Sequence, residues 1–91
     1  MNVNEIYYRH TRDIVSFYFI QEIKEDNLLR KRVSIATNGI LNVATEWIPI
    51  EEFNKFIEQY HLLENVHPSW LEESIQMLFD CDLIQFNEDI L

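Results

Sequence analysis

Two spacings of apolar residues divide this chain at Pro49. Before Pro49 they alternate or run in short continuous stretches, the signature of strands; after it they recur every three or four residues, the signature of helices. Glu5 to His10 contains Ile6-Tyr7-Tyr8 and predicts a first strand, followed by a turn at Thr11-Arg12-Asp13. Ile14 to Lys24 predicts a second. Val15, Phe17, Phe19 and Ile23 fall on one of its faces, and Ile14, Ser16, Tyr18, Ile20, Glu22 and Lys24 on the other. Both faces begin apolar, so this strand is expected to be central and partly covered on both sides.

A polar turn, Lys24-Glu25-Asp26-Asn27, leads to a third strand over Leu28 to Thr37 and a fourth over Ile40 to Ile48. Between them stands Asn38-Gly39, with the sole glycine of the sequence. Both residues tolerate the positive φ of a tight hairpin turn. A two-residue loop would set Ile35 opposite Asn42 and Val33 opposite Ala44, mixing apolar with polar. A three-residue loop, Thr37-Asn38-Gly39 with Gly39 left-handed in a G1 bulge, sets Ile35 opposite Leu41 and Val33 opposite Val43. The second register gives one coherent apolar face and is the one predicted.

Pro49 ends the strands and can begin a helix, where its missing N–H costs nothing. Ile50, Phe53, Phe56, Ile57 and Tyr60 make one helical stripe, with Glu51, Glu52, Lys55, Glu58 and Gln59 opposite. Leu62 to His67 reads as a connector closed by Pro68. Ser69-Trp70-Leu71-Glu72 matches a capping box and predicts a second helix to about Asp80, with Leu71, Ile75, Leu78 and Phe79 inward. Leu83 to Phe86 could add a fifth strand or dock as irregular chain. The expected fold class is therefore α+β in one domain over residues 1–91: an antiparallel meander of four strands, five if the tail joins, followed by two helices packed on one face.

At 91 residues such a domain buries about 60 to 65 per cent of its unfolded surface. Its twelve aromatic residues supply the core that this requires. No run approaches the roughly 18 apolar residues needed to span a bilayer, and no basic segment precedes an apolar one near Met1. With a single cysteine, the expectation is a cytoplasmic protein without disulfides or membrane contact.

Charge changes the picture most. Residues 1–45 carry five acids and six bases, whereas residues 46–91 carry eleven acids and only Lys55. Such a field repels nucleic acid and anionic membrane, and attracts basic protein surfaces. Direct binding to DNA or RNA is not expected. Arg30-Lys31-Arg32 invites a phosphate-patch reading, but consecutive residues of a strand alternate between faces, and Glu22, Glu25 and Asp26 are near enough to pair with them.

Residues able to do chemistry are sparse. His61 and His67 have neither spacing of a zinc site. Cys81 lies between Asp80 and Asp82 near a helix C-terminus, which disfavours a thiolate, so it is read as a small buried apolar residue. His10, between Arg9 and Arg12, reads as surface. A calcium loop starting at Asp80 fails, because Ile84 stands at the fifth position and Leu91 where the bidentate Glu belongs. Glu51-Glu52 and Glu72-Glu73 diverge by about 100° around a helix and do not form an acid/base pair. No catalytic residue, metal ligand or cofactor is therefore expected.

Glu51, Glu52, Glu72 and Glu73 occupy first helical turns, where the helix dipole favours them. Glu58, Glu64, Asp80, Asp82, Glu88 and Asp89 have no such explanation, and these six are the candidate partner-binding residues. The expected function is a small acidic module that binds a basic protein surface, such as that of a DNA- or RNA-handling protein, as an inhibitor or DNA mimic. Phage inhibitors, immunity proteins and DNA mimics resemble it in size and sign of charge, without a shared motif. The alternative is an assembly module that forms a homodimer or docks through exposed Tyr7, Tyr8, Trp47 or Trp70.

Overall fold

The computed structural model describes residues 2–36, 39, 41–64 and 66–81. Strands β1 (Ile6–Thr11), β2 (Ile14–Lys24), β3 (Asn27–Ala36) and β4 (Leu41–Pro49) form the antiparallel meander. Helix α1 (Ile50–Lys55) and a 3₁₀ turn (Ile57–Gln59) follow. A two-residue strand β5 (His61–Leu62) pairs with β1, giving the order β4-β3-β2-β1-β5. A second 3₁₀ turn (Ser69–Leu71) then leads into α2 (Glu72–Asp80).

The β3–β4 register is the predicted one: Val33 faces Val43 and Ile35 faces Leu41. Gly39 adopts φ +84 and donates its N–H to the Ala36 carbonyl at 2.9 Å, while Thr37 and Asn38 lie outside the described residues. The other hairpins close through Arg12-Asp13 and Glu25-Asp26, with Arg12 at φ +50 and Glu25 at φ +55. Neither uses glycine.

The expected arrangement of both helices on one face is corrected. The second 3₁₀ turn and α2 bring Leu71, Ile75 and Leu78 against Tyr8, Phe17, Val33 and Ile35. Phe53 of α1 packs instead with Tyr7, Tyr18, Ile20, Leu28 and Ile48. Tyr7 and Tyr8, Phe17 and Tyr18 are neighbours in their strands, and neighbours point to opposite faces. The helices therefore cover opposite faces of the sheet. The chain crosses between the faces at β5: Ile57 and Tyr60 join the α1 side, whereas Leu63 joins the α2 side.

The face assignment of β2 also changes. Its register with β3 shifts by one residue between Ile20 and Glu22, a β-bulge at Gln21. The extra residue reverses the alternation, so Ile23 pairs with Leu28 on the α1 face, away from Val15, Phe17 and Phe19. The fifth strand is His61–Leu62; the tail segment Leu83 to Phe86 lies outside the described residues.

Two local expectations about the helices are replaced. The stripe after Pro49 breaks at Phe56, which leaves helical geometry at φ −115, ψ 12 and is 46% exposed. The Ser69 capping box does not form. The 3₁₀ turn bonds the Leu71 N–H to the Pro68 carbonyl and the Glu72 N–H to the Ser69 carbonyl, so backbone groups satisfy donors that the cap would have served. Cys81 follows α2 as its C-cap and is exposed, not buried as its flanking sequence implied.

Candidate functional site

The sheet register gathers an unexpected group of residues on the α1 face. Tyr18 lies opposite Tyr7 on one side and Arg32 on the other. Arg30 shares Arg32's face two residues along β3, and Arg9 shares Tyr7's face two residues along β1. Lys31 points to the other face, over the Phe19 ring at 5.7 Å. Arg9, Arg30 and Arg32 thus surround Tyr18, and α1 with its following turn closes the group with Phe53, Phe56 and Tyr60. These side chains line a cavity of about 270 Å³, with Glu52 and Gln59 also on its wall.

The aromatic side chains brace the arginines. Phe53 and Tyr60 stack at 4.9 Å with an interplanar angle of 11°, and Tyr18 meets Tyr60 edge-on at 4.8 Å. The Arg30 guanidinium lies 5.1 Å from the Tyr18 ring centre and that of Arg9 lies 5.7 Å from Tyr60. Such cation–π contacts contribute roughly 0.5 to 1 kcal/mol each at partly exposed sites. Burial pushes the Tyr60 phenol above its usual value, with Tyr18 adding to the shift and Arg9 and Arg30 opposing it.

The arginines are incompletely paired. Arg30 Nη2 reaches Glu46 Oε1 at 2.5 Å, so its ion partner is Glu46 and not Glu22, Glu25 or Asp26. Arg9 donates to the neutral Gln59 amide oxygen at 3.1 Å. The Arg32 side chain has no hydrogen-bond or ion-pair partner among the described residues. The Nε atoms of Arg9 and Arg30 are buried and lack acceptors there too, and an unsatisfied buried donor costs about 1 to 3 kcal/mol.

The six carboxylates singled out in the sequence are not gathered in this way. Glu58 is exposed on the 3₁₀ turn beside α1, Glu64 is exposed just after β5, and Asp80 is exposed at the end of α2, where Gln76 donates to it at 3.0 Å. Glu58 and Asp80 stand on elements that cover opposite faces. Asp82, Glu88 and Asp89 lie outside the described residues, as does most of the calcium-like segment. Among the described residues no three His, Cys, Asp or Glu side chains come together as a metal site. No helix there is long and apolar enough to cross a membrane.

Of the four aromatic anchors considered for docking, Tyr7 and Tyr8 are buried core residues. Trp47 and Trp70 are each 49% exposed. Trp70 is held against Tyr8 and His10 at 6.3 and 5.0 Å, and His10 is on the surface as expected. Trp47 stands on β4, whose only described strand neighbour is β3, and exposed Val43 lies four residues earlier on the same strand. Comparison with protein-family models, curated proteins and solved structures gives no match, so the chemistry of these residues is the ground for a functional reading.

Proposed function

We propose that this chain is a non-enzymatic acidic module that binds a basic protein surface, of the kind that DNA- or RNA-handling proteins present. One observation carries the reading. The described carboxylates after Lys55, namely Glu58, Glu64, Glu72, Glu73 and Asp80, are all exposed, and none has a cationic partner among the described residues. Exposed like charges left unpaired repel one another and steer an oppositely charged partner. The helices present these groups on both faces and at the β5 edge, which suits a partner that wraps the acidic half or contacts one side of it.

The test is capture from the source lysate at low salt, with elution in a salt gradient and competition by duplex DNA. A basic protein that elutes as screening rises, is displaced by DNA and is lost when Glu64→Lys and Asp80→Lys are combined supports the reading. Retention that survives about 1 M salt, where charges are screened within about 3 Å, refutes it.

The assembly reading draws on a separate observation, the exposure of Val43 and Trp47 along the β4 edge. An open edge bearing apolar side chains favours strand addition. Sedimentation that depends on protein concentration, and is abolished by Trp47→Lys, would support self-association; a monomer at all concentrations would remove it.

A further inference from the structure

The geometry points to a binding site for a small phosphate monoester in the cavity walled by Arg9, Arg30, Arg32, Tyr18, Phe53 and Tyr60. Only seven lysines and arginines offset the acids of this chain, whose net charge is −9, yet three of them line this one cavity. Glu46 neutralises Arg30, and Glu52 on the wall offsets a second charge, which leaves an excess of one cation. The Arg32 side chain has no described hydrogen-bond or ion-pair partner, and that of Arg9 bonds only a neutral amide. Two guanidinium groups are thus available to a ligand, and their planar forks match phosphate oxygens.

The rest of the wall defines the ligand's other end. Half-exposed Phe56 and partly exposed Tyr60 offer aromatic surface next to the guanidinium groups, so an ester with a ring or a compact apolar body satisfies both halves. The volume of about 270 Å³ falls just below the range of drug-sized pockets, roughly 300 to 1,000 Å³, and suits a compact molecule. A nucleic acid is the wrong occupant, because the chain's net charge of −9 repels an extended polyanion.

Calorimetric titration of the full chain in low-salt, phosphate-free buffer tests this, with inorganic phosphate and phenyl phosphate as probes. Phenyl phosphate should saturate and bind about tenfold more tightly than inorganic phosphate, which corresponds to one aromatic contact. Arg32→Gln should weaken it about 10- to 100-fold, the equivalent of one charge-assisted hydrogen bond. Lys31→Gln, on the opposite face, should leave binding unchanged, and Glu52→Gln should tighten it. Absence of saturable binding by either probe overturns the site, as does equal weakening by Lys31→Gln and Arg32→Gln. Should Arg32→Gln fail to fold, a Glu52→Gln variant that does not bind phenyl phosphate more tightly overturns it instead.

Discussion

Phe53→Ala is the substitution on which the two-faced packing is most exposed to test. Helix α1 has six residues and no side-chain cap, and so short a helix does not persist in water through its own propensity. What holds it is Phe53, 1% exposed, edge-on to Tyr7 at 5.5 Å and stacked on Tyr60. Truncating a buried Phe costs about 3 to 5 kcal/mol through lost transfer and the cavity left behind. A 91-residue domain has about 5 to 14 kcal/mol in total, so this change removes a large share. At about 4 to 8 °C per kcal/mol, Tm should fall by roughly 12 °C or more. Phe56, three residues on and 46% exposed, leaves no sealed cavity, and Phe56→Ala should cost about 1 kcal/mol or less. Urea unfolding followed by circular dichroism measures both. A cost for Phe56→Ala equal to that for Phe53→Ala would refute the break in the helix at Phe56. A cost for Phe53→Ala below about 1.5 kcal/mol would mean that α1 does not cover this face.

Three further outcomes are expected. Gly39→Ala should destabilise by about 1 to 2 kcal/mol in urea, because φ is +84 although no atom crowds the added methyl; no change would mean the turn relaxes. Asp80→Lys removes only an exposed hydrogen bond from Gln76 and puts a cation at the C-terminal end of α2, so stability should stay equal or rise by up to about 1 kcal/mol; loss of the fold would make Asp80 structural. Tyr7 and Tyr60 have phenols held above the usual value near 10, Tyr7 by burial and by Glu5, and Tyr60 by burial and Tyr18. The folded state then holds these protons more tightly than the unfolded chain, so stability is intact below pH 10 and declines above it; tyrosinate absorbance should rise late, and Tm should fall as pH passes 10.

What the sequence made legible was local. Turn chemistry and alternation settled the four long strands and the pairing of Val33 with Val43, because both are decided within a dozen residues. The bulge at Gln21 left a trace that alternation alone does not locate. The Glu25-Asp26 turn pairs Lys24 with Asn27, and an unbroken register from there would put Tyr18 opposite Val33; the bulge instead aligns Phe17 with Val33 and Tyr18 with Arg32. The arginine cavity depends on that shift and on the β1 register together, so three strands had to be placed before it could be seen. The helices were misassigned to one face even though β2 is apolar on both sides. What decides their sides is the crossing at His61–Leu62, and two residues carry no periodicity.

That crossing also divides the molecule in time. Every other strand pairing joins neighbours in sequence, so the meander can zip up hairpin by hairpin with little loop entropy to overcome. The β5 contact is different: it joins Tyr7 to Leu62 and Tyr8 to His61, with one more backbone bond from the Leu63 N–H to the Ile6 carbonyl at 2.8 Å. Beyond it, Leu71, Ile75 and Leu78 cover Phe17 and Val33 on one face, while Phe53 is seated on the other. The two clusters should open as separate units, and amide exchange should find α2 opening before the strands it covers.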